Sequence, residues 1–292
     1  MYELIKAGEN SYYIDCPAKI GIVVLDNDEV CLIDSGNDKD AGKKVRQILE
    51  KQNWKLRAIF NTHSHADHIG GNKYLQTQTD CRIYAPGLDC AFTQNPMLEP
   101  MLIYGGCPVK ELQNKFILAK ESDAELLTES VLPDGLEIVP LPGHSFDMVG
   151  FRTKDNVVYL ADCLSSKEIL DKYTVGFIYN IGDYLDTLEK VKELKADLFV
   201  PAHAEATADI APLADYNIKK VNEIADAIIE ICKEPQTFED ILQKLFTRYN
   251  MLMTVQQYAL VGCTVRSYLS WLKECGRISF MFENNKMLWV GI

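Results

Sequence analysis

No stretch of this 292-residue chain is apolar over anything near the ~20 residues that cross a bilayer, so a membrane span is excluded from the reading. The opening MYELIKAGENSYYI has neither the basic nor the continuous apolar region of a secretory signal, and the expected location is therefore the cytoplasm. None of the nine cysteines stands in a Cys-x-x-Cys pair. That excludes a zinc ribbon, and the odd count without a signal reads as reduced thiols. Positive charge is also short. The 30 Lys and Arg against 42 Asp and Glu leave −12, which argues against a nucleic-acid surface, because such affinity rests on cationic contacts to phosphate. A small anionic substrate remains compatible, since bound metal reverses the local field. Linkers rich in Gly, Ser or Pro are missing, and so are repeats. Histidine is scarce as well, with five in the chain: His63, His65, His68, His144 and His203.

What is present has the composition of an ordinary globular protein, 47% hydrophobic and 25% charged. The first 35 residues read as short strands: SYYID, IGIVVLD and EVCLIDSG, the last two joined by an Asn/Asp turn. Apolar residues at 41, 45, 48 and 49 predict a helix over 38–53. LRAIFN (56–61) then reads as a buried strand running into THSHADHIGG, followed by the helix GNKYLQTQ and the strand CRIYAP. This alternation is that of an α/β protein. Residues 86–130 have no clean period and read as an insertion of short helices and loops. Strands return at 136–143, 148–153 and 156–162, then a helix over 183–195 and the strand DLFVPAH (197–203). From about residue 207 three helical stretches precede a terminal hairpin, an order that resembles a winged-helix module. The division expected is 1–215 for the main domain and 216–292 for the module.

The five histidines carry the chemistry. Three lie with Asp67 in His63-Ser64-His65-Ala66-Asp67-His68, at the passage from a strand to a helix. In an extended loop, residues i and i+2 can point side by side at one ion. Asp67 and His68, at the turn into the helix, can face a second ion about 3.5–4 Å away. His144 follows Leu-Pro-Gly, His203 follows Pro-Ala, and Asp162 closes NVVYLAD, each at a strand end where a rigid scaffold holds functional groups. Imidazole and carboxylate together suit zinc, and also manganese or iron. A single histidine is usually satisfied locally and binds nothing. A His-x-His-x-Asp-His cluster, with both remaining histidines at Gly/Pro-flanked strand ends, is poorly explained that way.

The order Thr-His-Ser-His-Ala-Asp-His, Pro-Gly-His, Leu-Ala-Asp, Pro-Ala-His resembles the metallo-β-lactamase superfamily over about residues 1–215, including the turn Ile33-Asp34-Ser35-Gly36. The resemblance implies an αββα sandwich of two mixed sheets flanked by helices, with a dinuclear metal site at one edge. It assigns His63, His65 and His144 to one metal, Asp67, His68 and His203 to the other, and Asp162 to a bridge. A water shared by the two ions is then expected to ionise near neutral pH and attack a carbonyl. Asp67 is the expected catalytic residue, orienting that water and later carrying a proton. Asp34 is expected to support the site by hydrogen bonding.

Substrate is less legible. The segment Asp162-Cys163-Leu164-Ser165-Ser166-Lys167 departs from the Gly-Arg-containing segment of glyoxalase II-like enzymes, which counts against a glutathione thioester. Flavodiiron proteins carry Glu where His65 stands, and Cys163 is an alternative ligand beside Asp162. Residues 225–292 hold seven basic and seven acidic residues, so the tail is neutral and offers no phosphate-tracking surface. The expectation is a small ester, thioester or lactone, with the tail acting as a lid or in a homodimer and residues 95–120 roofing the site. A ribonuclease using the tail and a mononuclear-iron sulfur dioxygenase are the alternatives. Plain core is the alternative for the tail.

Overall fold

Alternating side chains sort this protein into layers. The computed structural model describes residues 2–292. Its larger sheet runs in chain order: β1 (Glu3–Lys6), β2 (Ser11–Asp15), β3 (Ile20–Val24), β4 (Glu29–Ile33), β5 (Lys55–Phe60), β6 (Arg82–Ala85) and β7 (Ala124–Leu126). Strands β1 to β4 pair antiparallel and β4 to β7 parallel. The second sheet comprises β8 (Leu136–Pro140), β9 (Val149–Thr153), β10 (Val157–Ser165) and β11 (Leu198–His203) in the order β11-β10-β9-β8. Only the β10/β11 pair in it is parallel.

Successive residues of a strand leave on opposite faces. In β4, Cys31 and Ile33 face inward and meet Phe151, Val157 and Tyr159 of the other sheet. Val30 and Leu32 face outward, against Val45 and Leu49 of α1 (Lys39–Lys51) and Leu75 of α3 (Asn72–Thr79). The same alternation in β10 puts Val157 and Tyr159 between the sheets and Val158 and Leu160 against the helices beyond. The result is the αββα sandwich of mixed sheets expected from the sequence. Helix α1 begins where Asp38 accepts from Asp40 N and Ala41 N, capping two of the unpaired amides of its first turn.

Between α1 and α3 lies the single turn α2 (Ala66–Ile69). The segment 86–130 forms α4 (Gly87–Gln94), α5 (Leu98–Tyr104), two 3-10 turns and strand β7. That strand escapes the sequence reading because it has three residues, Ala-Glu-Leu, of which only Ala124 is buried. The outer face of the second sheet is covered by α6 (Lys167–Tyr173), α7 (Ile181–Glu193), α8 (Ala211–Ile231), α9 (Phe238–Arg248) and α10 (Val255–Glu274). A hairpin of β12 (Ile278–Glu283) and β13 (Lys286–Gly291) ends the described chain.

Helix α8 runs unbroken across position 215/216, so the expected division falls inside one element. Leu160 and Leu188 share a single buried cluster with Ile224, Leu245 and Leu269. The tail and the second sheet therefore fold against one core. No helix among the described residues is long and apolar enough to cross a membrane.

Candidate metal centre

The seven donors expected from the sequence converge: His63 and His65 follow β5, Asp67 and His68 lie on α2, His144 follows β8, His203 ends β11, and Asp162 lies within β10, which runs on to Ser165 rather than ending at 162. They fall into two groups, His63–His65–His144 and Asp67–His68–Asp162–His203, and within each group the donor atoms lie within 4.8 Å of one another. His65 Nδ1 stands 3.0 Å from both His63 Nε2 and His144 Nε2. In the second group, His203 Nε2 is 3.2 Å from Asp67 Oδ2 and from Asp162 Oδ2. His68 Nε2 is 3.0 Å from Asp162 Oδ1. Asp162 Oδ2 is also 3.6 Å from His144 Nε2, so this carboxylate lies between the two groups.

Hydrogen bonds on the far side of the rings fix which nitrogen faces inward. Thr62 donates its hydroxyl to Asp34 Oδ2, so His63 Nδ1–H donates to Thr62 Oγ1 and leaves Nε2 with a lone pair at the centre. His68 Nδ1 donates to Asp34 Oδ2 at 2.7 Å, and His203 Nδ1 to Pro17 O at 2.9 Å. Partners of this kind orient metal-binding imidazoles. Asp34, at φ +66, accepts a third bond from Thr62 N, so one buried carboxylate ties both groups to the end of β4.

Charge separates the groups. Burial keeps the first set neutral, lowering His65 to about 4, His144 to about 3 and His63 well below the usual range. Burial also works against charge on His203 and His68. Asp162 and Asp67 override it, holding His203 at about 10 and His68 well above its ordinary value. Carboxylates that favour a proton there favour a divalent cation for the same electrostatic reason.

The residues fit such ions. His68 Nε2 and Asp162 Oδ1 are buried without a hydrogen-bond partner, a costly arrangement that a cation between them relieves. His65 Nδ1 has one in-plane lone pair to answer two facing nitrogens, which again suits a Lewis acid better than protons.

A metallo-beta-lactamase superfamily model matches residues 13–203, which hold all seven donors. The chain belongs to this superfamily. Among curated relatives, a beta-lactamase-like protein 2 homolog of Drosophila melanogaster is 25% identical over 68% of the chain and 63% of its own length. A probable metallo-hydrolase YybB of Bacillus subtilis is 28% identical over 66% of the chain and 86% of its own. A hydroxyacylglutathione hydrolase of Rhodopseudomonas palustris is 32% identical over 40% of the chain, and the match spans only 38% of that enzyme. The fold is shared end to end with a beta-lactamase domain protein from Burkholderia ambifaria. That structure has a TM-score of 0.72 at 14% identity and covers 99% of this chain and 94% of its own.

Within this superfamily fold, local backbone devices aim the donors. Ala161, at φ +49, sits at a register shift between β10 and β11 and turns Asp162 toward the centre. Cys163, the alternative ligand, packs in the outer core beside Leu160 and Leu188, and burial pushes its thiol up. It is not part of the site. A Cβ on Gly71 would stand 2.3 Å from Ser35 O, so a glycine lets the turn after His68 lie against the turn after β4. Gly143, before His144, has φ +121, and a Cβ there would stand 2.3 Å from Tyr184 N.

One supporting residue escaped the sequence. Asp89, fully buried in α4, accepts from Ser64 N at 3.0 Å, Ser64 Oγ at 2.8 Å, Ser145 Oγ at 2.6 Å and Asp147 N at 3.1 Å. It ties the His63–His65 loop to the His144 loop. An acidic residue in the first turn of a helix is so common that nothing in the sequence marks it.

Over the donors lies a cavity of about 200 Å³. Asp67, with its side chain 38% exposed, is the most open of the seven donors. Phe177 meets His65 and His144 edge to face, with centroids at 5.1 and 5.9 Å. Phe116 and Ile117 come from the insertion, as expected, and Leu260 from α10. Glu99 of α5 also lines the cavity, and burial pushes its carboxyl up to about 8.

Proposed function

We propose that the chain is a metal-dependent hydrolase that opens the carbonyl of a small ester, thioester or lactone at a dinuclear centre. The buried pair His68 Nε2 and Asp162 Oδ1, 3.0 Å apart and lacking a hydrogen bond, carries this reading. His63, His65 and His144 would hold one ion, Asp67, His68 and His203 the other, with Asp162 shared. Two divalent ions, zinc by the donor chemistry, would supply Lewis acidity toward the carbonyl and lower the pKa of a water to about 7.

The chain's own residues do the rest. Asp67, open to the cavity, orients the attacking water and carries its proton toward the leaving group. Asp34 holds the His68 ring, and Asp89 holds the loops that carry His63, His65 and His144. Phe177, Ile117 and Leu260 put apolar surface beside the donors, which strengthens the charge interactions on that side. We read α8–α10 and the hairpin as a winged-helix-like module turned to this roofing role. Its balanced charge supports that role over tracking phosphates. The hydroxyacylglutathione hydrolases among the relatives favour a thioester, while the segment after Asp162 counts against glutathione itself.

The test is metal content per chain by plasma emission, followed by turnover of thioester, lactone and phosphodiester panels. Two divalent ions and carbonyl hydrolysis are expected. One iron per chain with oxygen uptake, or cleavage confined to phosphodiesters, would overturn the reading.

A further inference from the structure

The cavity over the donors is walled by Phe116, Ile117, Phe177 and Leu260, and no lysine or arginine lines it. The smaller adjoining cavity of about 70 Å³ has Lys220, whose ammonium is held by Asp171 at 2.9 Å. A substrate carrying a second anionic group therefore finds no free cation here other than metal. The polar group added to the apolar walls has the opposite character. Glu99 is 7% exposed, and among the described residues its carboxylate has no hydrogen bond. Its recorded polar contact is His65 Nε2 at 3.6 Å, outside hydrogen-bonding range. Its oxygens reach the cavity with no protein partner, so a donor brought by the substrate can meet them, and a cationic one draws the carboxyl, raised by burial, back to its ionised form.

We propose that Glu99 recognises a nitrogen donor, an amine or N–H group, on the acyl part of the substrate, with the apolar walls holding the carbon skeleton beside it. This rests on the hydrolase reading and narrows its substrate class to nitrogen-bearing acyl esters and thioesters. Glu99 lies one imidazole's width from the donor atoms of the first group, since His65 presents Nδ1 to the centre and Nε2 to the carboxylate. The recognised nitrogen consequently sits only a few bonds from the scissile carbonyl. Position supports the role too. Glu99 lies on α5, whose neighbour Ile103 packs with Ala259 of α10, so the roof itself fixes the carboxylate.

The probes are three thioesters of matched shape: phenylalanyl, N-acetylphenylalanyl, and the 3-phenylpropanoyl compound that lacks the nitrogen. The protein with its metal loaded is expected to prefer the nitrogen-bearing pair in kcat/KM by roughly tenfold or more beyond their advantage in uncatalysed hydrolysis, because a site built to meet a donor rejects the analogue without it. Preference for the first over the second identifies a charged ammonium, and parity identifies a neutral N–H. Glu99→Gln is expected to bring the ratio to within about twofold of that for uncatalysed hydrolysis, and Glu99→Asp, which keeps a carboxyl group, to restore part of the preference. If Glu99 serves only to steady His65, Glu99→Gln lowers all three substrates in step, and the proposal fails.

A second readout needs no turnover. Saturation transfer in ligand-observed NMR is expected for 2-phenylethylamine with the wild-type protein, and to be lost in Glu99→Gln. 2-Phenylethanol serves as the control. Turnover of all three thioesters without preference, together with amine binding that ignores Glu99, overturns this assignment and leaves the hydrolase reading intact. Glu99-dependent amine binding without hydrolysis of any carbonyl substrate does the reverse.

Discussion

The cradle beneath the cavity and the roof above it are built by different physics. Below, buried carboxylates hold the donor-bearing loops at fixed distances: Asp34 bonds Thr62 and His68, and Asp89 bonds Ser64, Ser145 and Asp147. Above, Ile103, Leu112, Ile117 and Ala259 form a small apolar cluster with Phe177, Leu260 and Cys263 half-buried around it. Hydrogen bonds specify angles and distances, whereas apolar packing specifies volume and tolerates exchange. The cradle is thus committed to one geometry. The roof can be reshaped, which is where substrate choice is expected to reside.

The most damaging way to probe the cradle is Asp162→Ala. It removes the one carboxylate that touches both groups and leaves His68 and His203 facing each other. Turnover is expected to fall by on the order of a thousandfold, with metal content dropping alongside. Full activity after loss of metal would contradict the proposed scheme.

Asp89→Ala comes next. It strands four donors that now share one buried carboxylate. Urea unfolding of the chelated protein is expected to show a loss of about 3 kcal/mol, since unmet buried donors carry most of the cost. An unchanged midpoint would mean that the loops hold themselves. Asp34→Asn should act more gently on the fold and more selectively on metal. The single amide oxygen can still accept from Thr62 Oγ1 and His68 Nδ1, more weakly than a carboxylate, but its NH2 then faces Thr62 N–H, and divalent affinity is expected to drop by about 10–100-fold in a competitive chelator titration.

The same contrast decides what the sequence could tell. All seven donors are legible because imidazole and carboxylate side chains next to Gly and Pro at strand ends have few other reasons to cluster. The layers are legible only through the resemblance, because β4, β5 and β10 are near-continuous apolar runs whose alternation between two cores shows only in the fold. Asp34 is legible because it stands in a tight turn before Ser-Gly. Asp89 is not, since its partners are 25, 56 and 58 positions away and its own surroundings, GLDCAFTQ, read as an ordinary helix start. Leu260 is hidden differently. It is one apolar residue among several on a helix buried along much of its length, and only the fold says which of them looks onto the site. Composition also suggested a boundary near 215, where α8 in fact continues, because a change in character along the chain does not reveal a core shared across it.

Leu260→Ala provides the mildest test and the sharpest one for the roof. Leu260 is only partly buried, so truncation removes a few methylene contacts rather than opening a sealed core, and stability is expected to fall by about 1 kcal/mol. The donors stay where Asp34 and Asp89 hold them, so kcat is expected to remain within about threefold. KM should rise for bulky apolar acyl groups, because binding shared by ground and transition states is what the wall supplies. A fall in kcat with KM unchanged would mean that α10 sets the geometry of the reacting groups, and the division between a rigid cradle and an adjustable roof would collapse.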